Sequence, residues 1–351
     1  MHSMKRLSFL LVSTSLFIIL ACSKQDNLDK NALLQAWQTE VIAPAWQEVA
    51  AQGPNLATKV DLFLAQPNTT TLADARAAWR LAARAWGKAE PFVFGEMKSQ
   101  YIHWAIARSP VNSSSIETSI SDMSRTLDSL YVQQQSSYAK SLSAIEYLLF
   151  ADSSQQLPFS ARRAEYLHLA VQNLALEMQK PQDIWENQGE GQRFAAAEGY
   201  ELGSAISELS NGMINLAQEM SRKKLGKPLG KENDGIFMPE SVEHPDAHFS
   251  LGLLKANFEG LENALLLGRP SLQAYWESET SNGVPAQFAA NLQAAISLCE
   301  SLGDDLQGAL QNRPDQVEEL YDLSREIYLA LSNDMAAVFG ITVLPSDNDG
   351  D

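Results

Sequence analysis

One acidic residue interrupts an otherwise apolar segment, Ser141-Leu142-Ser143-Ala144-Ile145-Glu146-Tyr147-Leu148-Leu149-Phe150. At about 100° per residue, Leu142, Ile145 and Leu149 share one helix face, and Glu146 projects between Leu142 and Phe150 at the edge of that stripe. A carboxylate buried there without a partner costs several kcal/mol even after relaxation. It therefore needs an arginine, a proton or a metal. Arg76, Arg80 and Arg84 recur at four-residue intervals and form a cationic stripe on a helix that also carries Trp79 and Trp86. Arg80 or Arg84 could close an interhelical salt bridge to Glu146 or hold a small anion; otherwise the stripe is a solvated face. Glu90, at the end of the same helix, is placed to cap it, to pair with Arg84 or to line a site. A second cluster runs from Glu240 to His248, with three acids and two histidines. His244 and His248 stand four apart, a spacing that puts two metal ligands on one helical face. Pro245 suits the first helical position, which would set His244 at the N-cap. A metal site would then draw on Glu146, His244 and His248; the alternative is an acidic loop with a helix cap.

These residues need helices to position them, and helical periodicity is what the chain supplies. Ala164, Leu167, Val171, Leu174 and Met178 follow a heptad, and Leu254, Phe258, Leu261 and Leu265 repeat at four, three and four. Val317, Leu320, Ile327, Leu331 and Val338 continue the pattern, with Gly340 as the residue just past the helix end. Thr71-Leu72-Ala73-Asp74 reads as a capping box that opens the tryptophan helix. Ile341 to Leu344 is the best strand candidate, and it is a tail. Breaks fall at 151–158, 180–191, 222–245 and 269–285, marked by proline, glycine and polar residues. The lysine-rich start of the third reads as a solvated loop. The pattern predicts an all-α protein of two four-helix-bundle-like units, at 31–157 and 158–351.

Composition narrows the function classes. The 351 residues carry 26 Lys+Arg against 43 Asp+Glu, a net charge of −17. That balance argues against nucleic acid as a partner, because such a surface would be basic. With 45% hydrophobic and 20% charged residues, the chain is globular rather than disordered. Residues 1–21 read as a secretory signal, with Lys5 and Arg6 ahead of an apolar run too short to span a bilayer. The run ends Ile19-Leu20-Ala21-Cys22, which resembles the lipobox of a bacterial lipoprotein. Lipidation at Cys22 would tether the chain, through residues 22–30, to a membrane surface in the cell envelope. Ser23, in place of Asp, favours the outer membrane, facing the periplasm. Removing two basic residues takes the charge from −17 to −19. Cys299 would then be the remaining cysteine and reads as a buried core thiol. No HExxH, GxSxG, P-loop or dinucleotide fingerprint is present. The terminal Ser346-Asp347-Asn348-Asp349-Gly350-Asp351 begins like a calcium loop but lacks the closing glutamate, and reads as an acidic tail.

Four segments, in order, resemble the imelysin-like family, also called peptidase family M75 or iron-regulated protein A-like. They are Trp79-Arg80 through Glu90-Pro91-Phe92-Val93-Phe94-Gly95; Tyr101-Ile102-His103-Trp104; Leu253 through Leu261; and Phe339-Gly340-Ile341-Thr342-Val343 through Asp351. The family's GxHxxE motif becomes Ser141-x-Ser143-x-x-Glu146, so the glutamate is kept while both the glycine and the histidine are serine. The resemblance implies two helical bundles with a site between them near Glu146, and an association with bacterial iron uptake. Serine is a poor ligand for Zn²⁺ or Fe²⁺, so a zinc peptidase mechanism loses a ligand here. The expected function is a non-enzymatic binding component of the cell envelope. Its binding residues would be Glu146, Ser143, Ser141, Arg80, Arg84 and Glu90, and its partner a metal ion such as iron, a metal chelate or another envelope protein. The rivals are a metallopeptidase with altered ligands and an interaction protein whose site has decayed.

Overall fold

A computed structural model describes residues 28–151 and 157–345. The expected signal segment, the expected lipidation site Cys22 and the acidic terminus from Ser346 lie outside the described residues. Among the described residues every regular element is helical, and no helix is long and apolar enough to cross a membrane. Ten helices frame the molecule: α1 (Ala43–Ala65), α2 (Thr69–Ala89), α3 (Ile102–Ile106), α4 (Leu142–Phe150), α5 (Ala161–Glu186), α6 (Glu190–Ala196), α7 (Ala205–Glu219), α8 (Ser250–Leu266), α9 (Val284–Leu302) and α10 (Pro314–Leu329).

Helix α1 packs along α2 and α5, and α4 bridges α2 and α5; α8 packs on α9, α9 on α10 and α10 on α7. The two groups meet where α2 lies against α8. That joint is tight. A Cβ added to Gly87 would come within 2.8 Å of Leu253 and 3.0 Å of Ala256, and one on Gly260 within 2.5 Å of the Lys88 carbonyl oxygen. One hydrophobic core is continuous through both groups. Cys299 is free and buried within it, as expected.

Several boundaries differ from the sequence reading. The tryptophan helix starts earlier: Asn68 is the N-cap, accepting from the Thr70 and Thr71 N–H groups, and Thr71 is the reciprocal third residue of the box. Helix α5 runs through Pro181, whose burial beside Ile184 and Trp185 outweighs the roughly 3 kcal/mol a proline costs a helix interior. A short helix, Leu272–Glu279, forms inside the 269–285 break. The break at 151–158 is not where packing partners change, because α5 returns to α1, and α6 still touches α5. The change comes at α7. Gly340 ends the last helix in the left-handed region, at φ 64°. The tail after it forms no strand; instead the Leu344 N–H donates to Asn211 Oδ1, and Asn211 Nδ2 donates to the Thr342 carbonyl.

Candidate functional site

Glu146 projects from the middle of α4 and is 3% exposed. Its partner is neither Arg80 nor Arg84. His244 Nδ1 lies 2.5 Å from Oε2, and the Ala247 N–H donates to Oε1 at 3.0 Å. Both carboxylate oxygens are thus engaged by one turn, 98 residues downstream in sequence. Burial would lower the His244 pKa, but the Glu146 carboxylate and then Glu243 raise it above the ordinary histidine value. The pair is therefore a buried contact that favours the protonated form of His244.

The turn exists because its backbone departs from a helix. His244 and His248 both adopt left-handed φ, at 51° and 50°, a sparsely populated region for non-glycine residues. Helix α8 begins only at Ser250, so the expected cap at His244 does not form and the four-residue spacing places no two ligands on one face. His244 turns inward, its ring 5.0 Å from Trp79 in an edge-on contact. His248 turns outward and sits 3.3 Å from Asp305 with 66% of its side chain exposed. Glu146, His244 and His248 do not converge as a ligand set, and among the described residues no group of three or more His, Cys, Asp or Glu side chains is arranged to hold a metal.

The arginine stripe has a structural task. Arg76 Nε donates to the Leu149 carbonyl and Arg80 Nη2 to the Ala247 carbonyl. Both guanidinium groups lie over the Phe150 ring, and Arg84 lies over Phe249. Arg80 grips the turn whose Ala247 N–H serves Glu146; it reaches Glu146 only through that turn. Trp79 Nε1 donates to the Leu142 carbonyl, which fixes α4 against α2.

Beside the Glu146–His244 pair lies a cavity of about 250 Å³. The first helix group contributes Trp86, Glu90, Trp104 and Ser143 to its wall, and the second contributes Asn215 and His244. Glu90 caps α2 through its backbone and lines this cavity, but it pairs with Lys224, at 3.4 Å, rather than with Arg84. Lys224 also reaches Glu243 at 3.0 Å and Asn257 Oδ1 at 2.8 Å. The lysine-rich stretch expected in solvent is instead a π-helical continuation of α7, Met220–Gly226, and it buries Lys224 to 8% exposure. Burial pushes the Glu90 carboxyl up against the opposing pull of Lys224. At Glu243 burial acts in the same direction, yet Lys224 and His244 prevail and hold it below the usual carboxylate value. For Lys224 burial would lower the pKa, and Glu243, Glu90 and Glu219 raise it above the ordinary lysine value.

The two motif serines differ. Ser141 Oγ donates to the Arg108 carbonyl at 3.2 Å and accepts from the Arg108 N–H at 3.4 Å. Ser143 Oγ is buried at the cavity wall with no hydrogen-bond partner, and so are Trp86 Nε1 and Asn215 Oδ1. Sequence reasoning missed Arg108 and Lys224. The signal for Arg108 was available in Tyr101, Trp104 and Arg108, spaced three and four apart.

Comparison with known proteins agrees with this architecture. A structure of an imelysin-like protein from Psychrobacter arcticum 273-4 aligns with a TM-score of 0.75 at 18% identity, covering 90% of this chain and 97% of that one. A second structure, named as a candidate iron-regulated protein A precursor from Parabacteroides distasonis ATCC 8503, gives a TM-score of 0.72 at 17% identity over 88% and 94% of the two chains. Iron-regulated protein A of Synechococcus elongatus (strain ATCC 33912 / PCC 7942 / FACHB-805) is 25% identical over 252 residues, 69% of this chain. The match spans 66% of that relative's own length. The imelysin family, Peptidase_M75, matches residues 42–329, and the chain belongs to it.

Proposed function

We propose that the protein is a non-enzymatic binding component of the bacterial cell envelope, tied to iron acquisition, which takes its ligand in the cavity beside Glu146 and His244. The observation that carries this reading is a buried acid–base pair contributed by the two helix groups, next to a cavity that both groups line. The relatives named for iron regulation supply the link to iron. Lipidation at Cys22 would hold the protein at the outer membrane, facing the periplasm.

The donor set does not fit a resident metal ion. His244 is turned onto Glu146 while His248 faces outward to Asp305, and among the described residues no group of three or more His, Cys, Asp or Glu side chains is arranged to hold a metal. Ser143 stands where the family motif has histidine. The peptidase reading therefore lacks its ligands, and a chelated metal or a small organic ligand suits the cavity better than a bare ion. At about 250 Å³ the cavity lies just below the range for drug-sized ligands, roughly 300–1,000 Å³.

The test is calorimetric titration of the full chain in mild detergent with Fe²⁺, Fe³⁺, Zn²⁺, haem and ferric citrate, with Glu146→Gln alongside. Saturable binding of an iron species that weakens in the variant is the expected result. No binding of any of the five by the wild-type protein would overturn the reading.

A further inference from the structure

The cavity wall holds a cation that the Glu146–His244 pair does not explain. Arg108 lies half-buried just after α3, and its guanidinium is 4.4 Å from the Trp104 ring centroid and 4.9 Å from that of Tyr138. Trp104 is in turn stacked on Tyr101, with centroids 4.9 Å apart and planes 20° from parallel. Aromatic faces on two sides hold a guanidinium in place while leaving its in-plane N–H groups pointed outward. Among the described residues no carboxylate pairs with Arg108. Every buried cation of the Lys224 centre, by contrast, is matched with acids.

The backbone of Arg108 is fixed too. Ser141, fully buried, holds both its N–H and its carbonyl. This is the serine that replaces the glycine of the family motif, and glycine has no hydroxyl with which to make either bond. Two positions along, the serine that replaces the motif histidine leaves an unpartnered hydroxyl at the same cavity, beside the unpartnered indole N–H of Trp86. Lys98, Lys223 and His244 line the same wall, as do Glu90, Glu219 and Glu243, whose charges act on the buried Lys224. A planar fork of N–H donors, a hydroxyl and an indole N–H together form a set that hydrogen-bonds to anionic oxygen. The two serines thus serve the same cavity: the first fixes the backbone of a cation and the second offers a hydroxyl.

We infer that the cavity recognises a small polycarboxylate, with Arg108 as the residue that binds the carboxylate and Ser143 and Trp86 as supporting donors. This rests on the proposed reading that the cavity is the binding site, and it names the class of ligand. Phosphate shares the oxygen-anion chemistry but has no second, separate anionic group, and titration with each distinguishes the two.

The test uses the full chain in mild detergent, titrated by calorimetry with metal-free citrate, with inorganic phosphate and with glycerol as an uncharged comparator. Citrate should bind saturably, more tightly than phosphate, with no heat from glycerol, and its affinity should fall as salt is raised. Arg108→Gln should weaken citrate binding by about 10- to 100-fold, the loss expected for hydrogen bonds to a charged group. Arg108→Lys, which keeps the charge and loses the fork, should give an intermediate loss. Thermal melting checks that each variant is folded. If Arg108→Gln unfolds, Arg108→Lys and the salt series decide. Unchanged citrate affinity in a folded Arg108 variant, tighter binding of phosphate, or no citrate binding by the wild-type protein overturns the inference. Binding of an iron species without citrate binding would overturn it while leaving the proposed function standing; binding of neither would remove both.

Discussion

Two charge centres are buried beside the same cavity. At Glu146 one side chain meets one histidine ring and one backbone N–H. At Lys224 a single ammonium serves Glu90 and Glu243, with Glu219 acting on it electrostatically. At the second centre burial, the larger effect, raises the Glu90 carboxyl, whereas at Glu243 Lys224 and His244 outweigh burial and lower it. The adjacent residues Glu243 and His244 belong one to each centre. A shift of that single turn would therefore disturb both. Pairing decides what a buried charge can still do. Lys224 and His244 are committed to acids of the fold, whereas Arg108 is held by rings that leave its hydrogen bonds unspent.

Removing the shared cation tests the acid-rich centre most severely. Lys224→Met should cost about 3–5 kcal/mol, the range for stranding one side of a buried ion pair, read as a lowered midpoint in urea unfolding. A loss under 1 kcal/mol would mean that the acids are already neutral. Glu146→Gln keeps the shape and loses the charge, and should cost about 1.5–3 kcal/mol. The same measurement on the two variants ranks the two centres.

Titration separates them by sign. Because the folded His244 pKa is raised above its ordinary 6.5, its contribution is fully present below about 6.5 and is lost as the pH climbs through the raised value. Glu243 behaves oppositely: its contribution is present above 4.5 and is lost as the pH falls through its depressed value. Urea midpoints measured across pH should therefore fall on the alkaline side in the wild-type protein. His244→Gln should flatten that limb and shrink the acid limb to the share that Lys224 supplies, because both cations hold Glu243 low. An alkaline limb that survives the substitution would break the assignment to His244.

The smallest effect is expected at the other histidine of the turn. His248→Ala should change stability by no more than about 0.5 kcal/mol, as is usual for exposed positions, and should leave ligand binding intact. A large effect would mean that the outward face of the turn takes part in function.

The periodicity of apolar residues was enough to foresee an all-helical chain, and the position of Glu146 at the edge of an apolar stripe marked the site. What sequence could not supply was the partner. Arg80 and Arg84 have the right charge, yet α2 spends them on the carbonyls and rings that brace the turn around Ala247. His244 and His248 have ligand spacing, but a left-handed residue at each end sends their side chains to opposite sides. Lys224 looked like a solvated lysine because its burial depends on a π-helical extension and on acids from two other segments, Glu90 and Glu243. Each of these outcomes depends on long-range packing, which one-dimensional spacing does not encode. Arg108 is a partial exception: Trp104 four residues before it was legible, whereas Tyr138, the ring on its other side, is again a long-range partner.

Burial pushes the Cys299 thiol up to about 12. At neutral pH only about one molecule in 10⁵ carries the thiolate that alkylating reagents and disulfides attack. In an oxidising compartment the cysteine therefore persists as an inert thiol. Its modification requires the α8–α9–α10 packing to open. The rate at which a maleimide consumes Cys299 is thus a built-in clock for opening of the second helix group, readable without adding any label or altering the site.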